Sequence, residues 1–557
     1  MRYRVLVTDE IDPDGVALLA GEPAFDVDEV PTLPAATLLA RIGEYDALIG
    51  RSATRVSAEL LRAATRLKVV GRAGVGIDNI AMDAATELGI AVINAPAGNT
   101  IAVAELFFGA VIGLLRRLPR ADESMHAGRW DRSALLGTEL NGRTLGIVGL
   151  GRIGGEVAVR ARAFGMSLVA YDPYVAESRF QRLGVSRAES LEQLLDSAYI
   201  ITVHTPLTEE TRGMIGRREI VRLPAGAIVV NMARGGIVDE EALAEALDSG
   251  QIAGAVVDAF VKEPLAPDHP LRHASNALLT PHIGASTAEA QRNVAVDACA
   301  AVRDALLSGE FSRSINVPDG GVTQWSELRP VRTLARRAAA IGRAILASQG
   351  TGVIGRIDVR ASPMLASARD ALVASAALGV LDAVVESERL NVINARALAE
   401  MRGIELSFTE AFDSSSGSGS GSGSASSAAT ARALEVRLTG GANDITIGGV
   451  AYGGSAGRDD DGAFRITRIG AFRVDVYPRD TLLILTNRDV PGVIGRVGTL
   501  LGQAGVNIAE YHQARLAQGG EALAAVSVDG GVDDALKRKL LALPDVRSVT
   551  GVTFRSE

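Results

Sequence analysis

The sequence predicts an α/β chain: two doubly wound parallel-sheet domains, the first discontinuous, then an α+β domain and a small ferredoxin-like sandwich. Three observations predict it. Short, near-continuous apolar runs alternate with helical stretches over about the first 310 residues, the pattern of a parallel sheet covered on both faces. A glycine-rich turn at 149–154 sits between one such run and a helical stretch. The last part of the chain reads strand, helix, strand, strand, helix, strand.

Strand-like runs open the chain at 4–8, 47–50, 68–71 and 91–94, with helical stretches such as 57–64 and 83–88 between them. The apolar stretch 101–115 predicts a buried linking helix. A second series of buried-type strands follows at 144–148, 167–171, 200–203, 227–231, 254–257 and 277–280, and a helix at 291–307 returns to the first unit. The run 414–427 holds only Ser, Gly and one Ala, a composition that buries no apolar area. It reads as a surface loop inside a domain, because the apolar patterns before it (353–359, 371–385) need the strands after it (433–438, 444–447) to complete a core. The closing sandwich is expected from 482–486, 492–504, 507–516, 522–528, 532–542 and 546–552. The boundaries predicted are 1–97 with 283–316, then 98–282, 317–479 and 480–557.

The chain has 557 residues, 47% hydrophobic and 22% charged, enough apolar surface for several cores. Its net charge is -9 with no long basic run, which argues against a nucleic-acid partner. The single cysteine, Cys299, allows no intrachain disulfide and no cysteine-based metal cluster, and no metal is expected. Acidic residues stand where a secretory signal needs apolar ones, and no stretch of 18 apolar residues appears. No membrane association and a cytoplasmic address are therefore expected.

Gly149-Leu-Gly151-Arg152-Ile153-Gly154 predicts a Rossmann-like dinucleotide site. The first glycine permits the tight turn, the second lets a pyrophosphate approach the backbone, and the third lets helix and strand pack closely. Amides of the helix start and its dipole then hold phosphate. Asp172, at the end of the next strand, can accept hydrogen bonds from a ribose and would repel a 2′-phosphate, which favours NAD over NADP.

Arg234, Glu263 and His282 all stand at ends of predicted strands, where open α/β sheets bind ligands. A histidine can take a hydroxyl proton, a carboxylate can fix its tautomer, and an arginine fork matches a carboxylate. Taken singly, each also reads as an ordinary turn or loop residue, and spacing alone does not decide between the two.

Longer motifs do. Gly71-Arg-Ala-Gly-Val-Gly-Ile-Asp-Asn, Asn94-Ala-Pro-Ala-Gly-Asn-Thr, His204-Thr-Pro-Leu-Thr, Asn231-Met-Ala-Arg-Gly-Gly-Ile-Val-Asp and Thr280-Pro-His-Ile-Gly-Ala-Ser-Thr accompany the glycine turn. Through residue 316 the chain resembles the D-isomer-specific 2-hydroxyacid dehydrogenases. Asn487-Arg-Asp-Val-Pro-Gly-Val-Ile-Gly and Ala504-Gly-Val-Asn-Ile-Ala resemble an ACT domain. The whole chain is similar to the long form of the family, which carries an intervening domain before the ACT domain.

The resemblance implies NAD-dependent oxidation of 3-phosphoglycerate to 3-phosphohydroxypyruvate, the first step of L-serine biosynthesis, in a homotetramer inhibited by L-serine. It implies that His282 accepts the C2 hydroxyl proton, that Glu263 orients it, and that Arg234 binds the substrate carboxylate. Backbone at Gly74 and Val75 helps hold that carboxylate. Arg152 and Ile153 contact the pyrophosphate beside Gly149, Gly151 and Gly154, while Asp172 takes the ribose. Val75, Thr205, Ala233, Asp258, His282 and Gly284 line the nicotinamide side. Arg51, Arg72 and, from a neighbouring subunit, Arg132 supply charge for the substrate phosphate. Asn487, Asp489 and Asn507 match serine-holding positions, although Asp489-Val-Pro-Gly departs from a common Arg-Pro-Gly form. The intervening domain matches in place more than in residues. Two rivals stand beside this reading: another D-2-hydroxyacid dehydrogenase (glyoxylate, hydroxypyruvate or D-lactate), and an NAD-sensing corepressor.

Overall fold

The computed structural model describes residues 2–274, 276–318, 325–382, 384, 389–410, 432–452 and 463–554. Four sheets organise them. The first is parallel, in the order Phe25–Glu29, Tyr3–Val7, Ala47–Gly50, Val69–Arg72, Ala91–Asn94. The second, also parallel, runs Ala277–Leu279, Ile252–Val257, Ala227–Asn231, Ile200–Val203, Thr144–Val148, Ser167–Tyr171, Ser186–Arg187. Their central strands are buried along their length, as Ala47–Gly50 and Ile200–Val203 show.

Each sheet reverses its strand order once, and each reversal opens a crevice at the carboxyl ends of two strands. In the first sheet the crevice lies between Tyr3–Val7 and Ala47–Gly50; in the second, between Thr144–Val148 and Ile200–Val203. The helix Ala288–Ser308 returns the chain to the first domain. Thr287 caps its start by accepting from the Ala290 amide, and Gly309, at φ +68°, ends it. Its buried Val294, Ala298 and Val302 join the core of the first sheet, so that domain is discontinuous.

Two edge strands escape a reading based on apolar runs. Phe25–Glu29 alternates with acids, and Ser186–Arg187 is only two residues long.

A mixed sheet follows, in the order Glu405–Glu410, Arg356–Ala361, Arg432–Gly440, Asn443–Ala451, Phe464–Ile469, Phe472–Val476. The Ser/Gly run 414–427 lies outside the described residues. The strands on either side of it, Glu405–Glu410 and Arg432–Gly440, both pair with Arg356–Ala361, so its flanks belong to one domain. Pro363–Leu381 is long and apolar enough by composition to cross a membrane, with mean hydropathy 1.5, although Arg369 and Asp370 interrupt its apolar run. It is 72% buried inside the protein, as a core helix is. It packs on the mixed sheet, and Ala371 reaches the core of the first domain.

The closing antiparallel sheet is ordered Ile508–Arg515, Glu521–Val528, Thr481–Arg488, Val546–Thr553, with helices Val493–Gln503 and Asp534–Leu541. Leu482, Ile484 and Val552 share a core with the mixed-sheet domain.

Candidate active site

The crevice of the second sheet holds the glycine turn. Gly149 has φ +93°, and a Cβ there would lie 2.8 Å from the His204 carbonyl oxygen. A Cβ on Gly154 would overlap the Gly149 carbonyl, so helix and strand meet at van der Waals distance. A Cβ on Gly151 would meet nothing, leaving open space over the turn. The helix Arg152–Ala163 begins there with no side-chain cap, so the amides of its first turn face that space. Arg152 and Ile153 are its first two residues. The Thr205 methyl lies against Gly149, and its buried hydroxyl has no partner among the described residues, nor have the Nδ1 of His204 and the side-chain oxygens of Asn99 and Thr100. Burial pushes the His204 imidazole down to about 4, so it is neutral near pH 7.

Asp172 orders this turn, its Oδ2 accepting from the Leu150 amide at 2.8 Å and its Oδ1 from Tyr174 at 3.0 Å. Each oxygen keeps a lone pair for a ribose hydroxyl. Arg179, not singled out by sequence, grips the turn from the other side through the carbonyls of Leu150 (2.7 Å) and Gly151 (2.6 Å). Open space over Gly151, free helix amides and an orphaned hydroxyl fit a dinucleotide such as NAD. Asp172→Ala is expected to raise the KM for NAD about tenfold, the loss of about one charge-assisted hydrogen bond, and to narrow the preference over NADP. Initial rates with both cofactors check this; an unchanged preference would count against the ribose role.

The crevice of the first sheet holds arginines. Asp9, 6% exposed, accepts from the amides of Arg51 (2.7 Å) and Thr54 (2.9 Å) and from the hydroxyls of Thr54 (2.6 Å) and Thr32 (2.8 Å). Burial alone would raise its carboxyl, but these bonds outweigh it and hold Asp9 below the usual carboxylate range. Asp9 thus fixes the backbone that presents Arg51, and sequence reasoning missed it. The switch-point rule, applied to the end of the first strand, points to it.

Arg72 is mostly buried, and its Nε has no partner among the described residues. Burial first, then the charges of Arg51 and Arg234, push its guanidinium down to about 10. The carboxylates of Asp9 and Asp78 offset this repulsion only in part, so the surplus positive charge favours an anion. Arg132, on the exposed turn Arg132–Leu135, is not among the charges acting on Arg72 within one chain.

The glycine loop joins Arg72 to Arg234. A Cβ on Gly74 would lie 2.5 Å from the Arg72 Nη1, and one on Gly76 would overlap the Arg234 guanidinium. Asn94 donates to the Val75 carbonyl at 2.6 Å. The Gly74 amide is engaged by the Arg72 carbonyl at 2.8 Å, so Gly74 contributes shape rather than a free donor.

Arg234 donates through Nε to Asp78 (2.9 Å) and through Nη1 to the Ala233 carbonyl (2.7 Å). Buried Asn231 folds this turn by donating to the Arg234 carbonyl (2.9 Å) and accepting from Ala233 (3.2 Å).

His282 stands opposite Glu263, its Nδ1 2.8 Å from Oε1 and 2.9 Å from Oε2. A carboxylate accepts only, so Nδ1 carries the proton and Nε2 offers a lone pair. Glu263 is itself held by the Phe260 amide at 3.0 Å. His282 has φ +55°, and Asp258 holds that backbone. Asp258, 1% exposed, accepts from Thr280 Oγ1 (2.6 Å) and the amides of Ile283 (2.8 Å) and Gly284 (2.9 Å). Asp258 and Gly284, assigned to the nicotinamide side by resemblance, bond here to each other and fix the His282 segment.

In the closing domain, Asn487 and Asp489 lie together. Asp489 accepts from the Gly519 amide at 3.1 Å and faces Arg515 at 3.4 Å. Asn507 does not join them. Asn487 pairs with Ala522 and Ile508 with Val528, so they stand at opposite ends of one strand, about 20 Å apart at about 3.4 Å per residue. Asn507 donates instead to Asp529 at 2.6 Å.

Residues 108–284 match the D-isomer specific 2-hydroxyacid dehydrogenase NAD binding domain, and residues 481–545 match the ACT domain. The D-3-phosphoglycerate dehydrogenase of Bacillus subtilis is 38% identical over 554 residues, covering 98% of this chain and 99% of that one. That of Methanocaldococcus jannaschii is 35% identical over 552 residues, covering 99% of this chain and all of that one. Among solved structures, a glyoxylate reductase from Paecilomyes thermophila is 30% identical with a TM-score of 0.52, covering 56% of this chain and 98% of its own. The apo D-lactate dehydrogenase from Escherichia coli is 27% identical with a TM-score of 0.50, covering 56% and 99%. These two span only about half of this chain, whereas the first two relatives also span its mixed-sheet and ACT domains. By that full-length likeness the chain belongs to the D-3-phosphoglycerate dehydrogenases, within the D-isomer specific 2-hydroxyacid dehydrogenases.

Proposed function

We propose that this protein oxidises 3-phosphoglycerate at C2 to 3-phosphohydroxypyruvate with NAD, the first step of L-serine biosynthesis. The observation that carries the reading is the pairing of His282 and Glu263 together with the cluster of Arg234, Arg72 and Arg51. NAD, when bound, supplies the acceptor for the hydride leaving C2. The chain does the rest. Arg234 takes the C1 carboxylate and faces the oxygen that becomes the carbonyl. His282 receives the hydroxyl proton at Nε2, and Glu263 balances the imidazolium that results. Arg72 and Arg51 take the C3 phosphate.

NADH formation with 3-phosphoglycerate, compared with D-lactate and glycerate, tests the assignment. Equal rates on unphosphorylated acids would favour a different D-2-hydroxyacid substrate. Silence with all of them would favour the sensor. Arg72→Ala is expected to raise the KM for 3-phosphoglycerate about 30-fold with little change in kcat, since a lost charged hydrogen bond is worth about 2 kcal/mol. The same variant should barely affect an unphosphorylated acid; equal loss with both sinks the phosphate assignment.

L-Serine is the proposed effector of the ACT domain, in a cytoplasmic homotetramer. Asn487 and Asn507 stand at opposite ends of the sheet, so a serine site using both would draw them from two ACT domains packed antiparallel. Serine titrated into the assay should inhibit the protein, and Asn487→Ala should abolish that response while leaving basal activity intact. Full activity at millimolar serine in an assembled oligomer refutes this.

A further inference from the structure

The fold contains a second carboxylate–histidine pair, behind the first. Glu240 is the first residue of the helix Glu240–Asp248 and is 8% exposed. That helix is already capped by Asp239, which accepts from the amides of Glu241 (3.1 Å) and Ala242 (3.0 Å). The Glu240 carboxylate turns inward instead. Its Oε1 accepts from the Val261 amide at 2.7 Å, and its Oε2 lies 3.0 Å from His269 Nε2. His269 Nδ1 accepts from the Leu271 amide at 3.3 Å, which places the imidazole proton on Nε2, aimed at Glu240.

Val261 belongs to the segment that carries Glu263. The preceding amide, Phe260, donates to Glu263 Oε1. The same stretch bears on the Arg234 turn, where a Cβ on Gly235 would overlap the backbone of Phe260 and Val261. This backbone stretch therefore sets the orienter of His282, and Glu240 holds it at Val261, while the Arg234 turn it touches is fixed separately by Asn231. A buried carboxylate is costly unless it is fully bonded. Here both oxygens are engaged, one by the segment and one by a histidine.

We propose that Glu240, held by His269, is a positioning residue for the dehydrogenation, acting through Glu263. The inference rests on the proposed oxidation of 3-phosphoglycerate. Misplacing a reacting group by about 1 Å can cost about 10²-fold. Glu240→Ala is thus expected to lower kcat about 10- to 100-fold, with the KM for 3-phosphoglycerate and NADH binding within about twofold.

The decisive measurement is a double-mutant cycle in the full-length protein, using Glu240→Ala, Glu263→Ala and both together. If Glu240 acts through Glu263, the double variant is no slower than Glu263→Ala alone. If Glu240 merely supports the fold, the two losses multiply and NADH binding weakens with them; that result overturns the proposal, as does a Glu240→Ala enzyme with wild-type kcat. His269→Ala and His269→Gln give an independent arm should Glu240→Ala not fold. The alanine variant should lose kcat several-fold, and the glutamine variant, which still donates to Glu240, should recover most of it; no difference between them also overturns the proposal. Wild-type protein that forms no NADH from 3-phosphoglycerate overturns the functional reading instead.

Discussion

Replacing His282 with Asn is expected to lower kcat for 3-phosphoglycerate oxidation by about 10³-fold, within the about 10²–10⁴ that general acid–base catalysis contributes. The KM should stay within about threefold, because in the proposed reaction Arg72 and Arg51 would hold the substrate independently of the imidazole. Asn is the informative choice because His282 sits at φ +55°, a conformation that asparagine tolerates and alanine does not. The variant therefore removes the base without adding backbone strain. Steady-state rates and the isotope effect with C2-deuterated substrate check the result. Loss of the base slows the step in which C2–H breaks, so the isotope effect should grow or stay full. Glu263→Gln is expected to cost less, about 10- to 100-fold, because a neutral amide can still meet Nδ1 but no longer balances the imidazolium. A His282→Asn enzyme with wild-type kcat would remove His282 from proton transfer.

The parts of this site that sequence reveals are those whose chemistry is local. Gly149, Gly151 and Gly154 stand out by their spacing after a strand, and the structure gives each a reason: close packing at Gly149 and Gly154, and open space over Gly151. Asp172 follows from its place after the next strand. The supports are different. Asp78 reaches Arg234 across 156 positions, and Asp9 reaches Arg51 across 42. Nothing in the local pattern marks either as different from a surface acid, because only the fold brings the partners together. Asp258 shows the same limit from the other side. Resemblance places it near the nicotinamide, while its burial and three bonds show that it holds the His282 backbone. In the ACT domain, adjacency of motifs conceals that Asn487 and Asn507 lie at opposite ends of a sheet. Edge strands such as Ser186–Arg187 are lost for a simpler reason: two residues form no pattern.

Arg234→Lys is expected to reduce kcat/KM by about 10³-fold, nearly as much as Arg234→Ala, although the charge is kept. Geometry is the reason. Nε is fixed on Asp78 and Nη1 on the Ala233 carbonyl, which leaves Nη2, lying over Gly76, free for the carboxylate that the proposed function assigns to it. A lysine ammonium cannot make those anchoring bonds and reach the same place with a planar fork. Two charged hydrogen bonds at about 2 kcal/mol each amount to about a thousandfold. The loss should divide between kcat and KM, unlike the loss at Arg72. In the proposed reaction Arg72 would bind a phosphate that does not change, so its removal should weaken ground state and transition state alike. In the same proposal Arg234 would face the oxygen that becomes a carbonyl, so part of its interaction should strengthen only as that bond forms. Measuring kcat and KM separately for both variants tests the distinction. If Arg234→Lys raises only the KM, Arg234 is a passive anion clamp and the developing carbonyl must find its donor elsewhere.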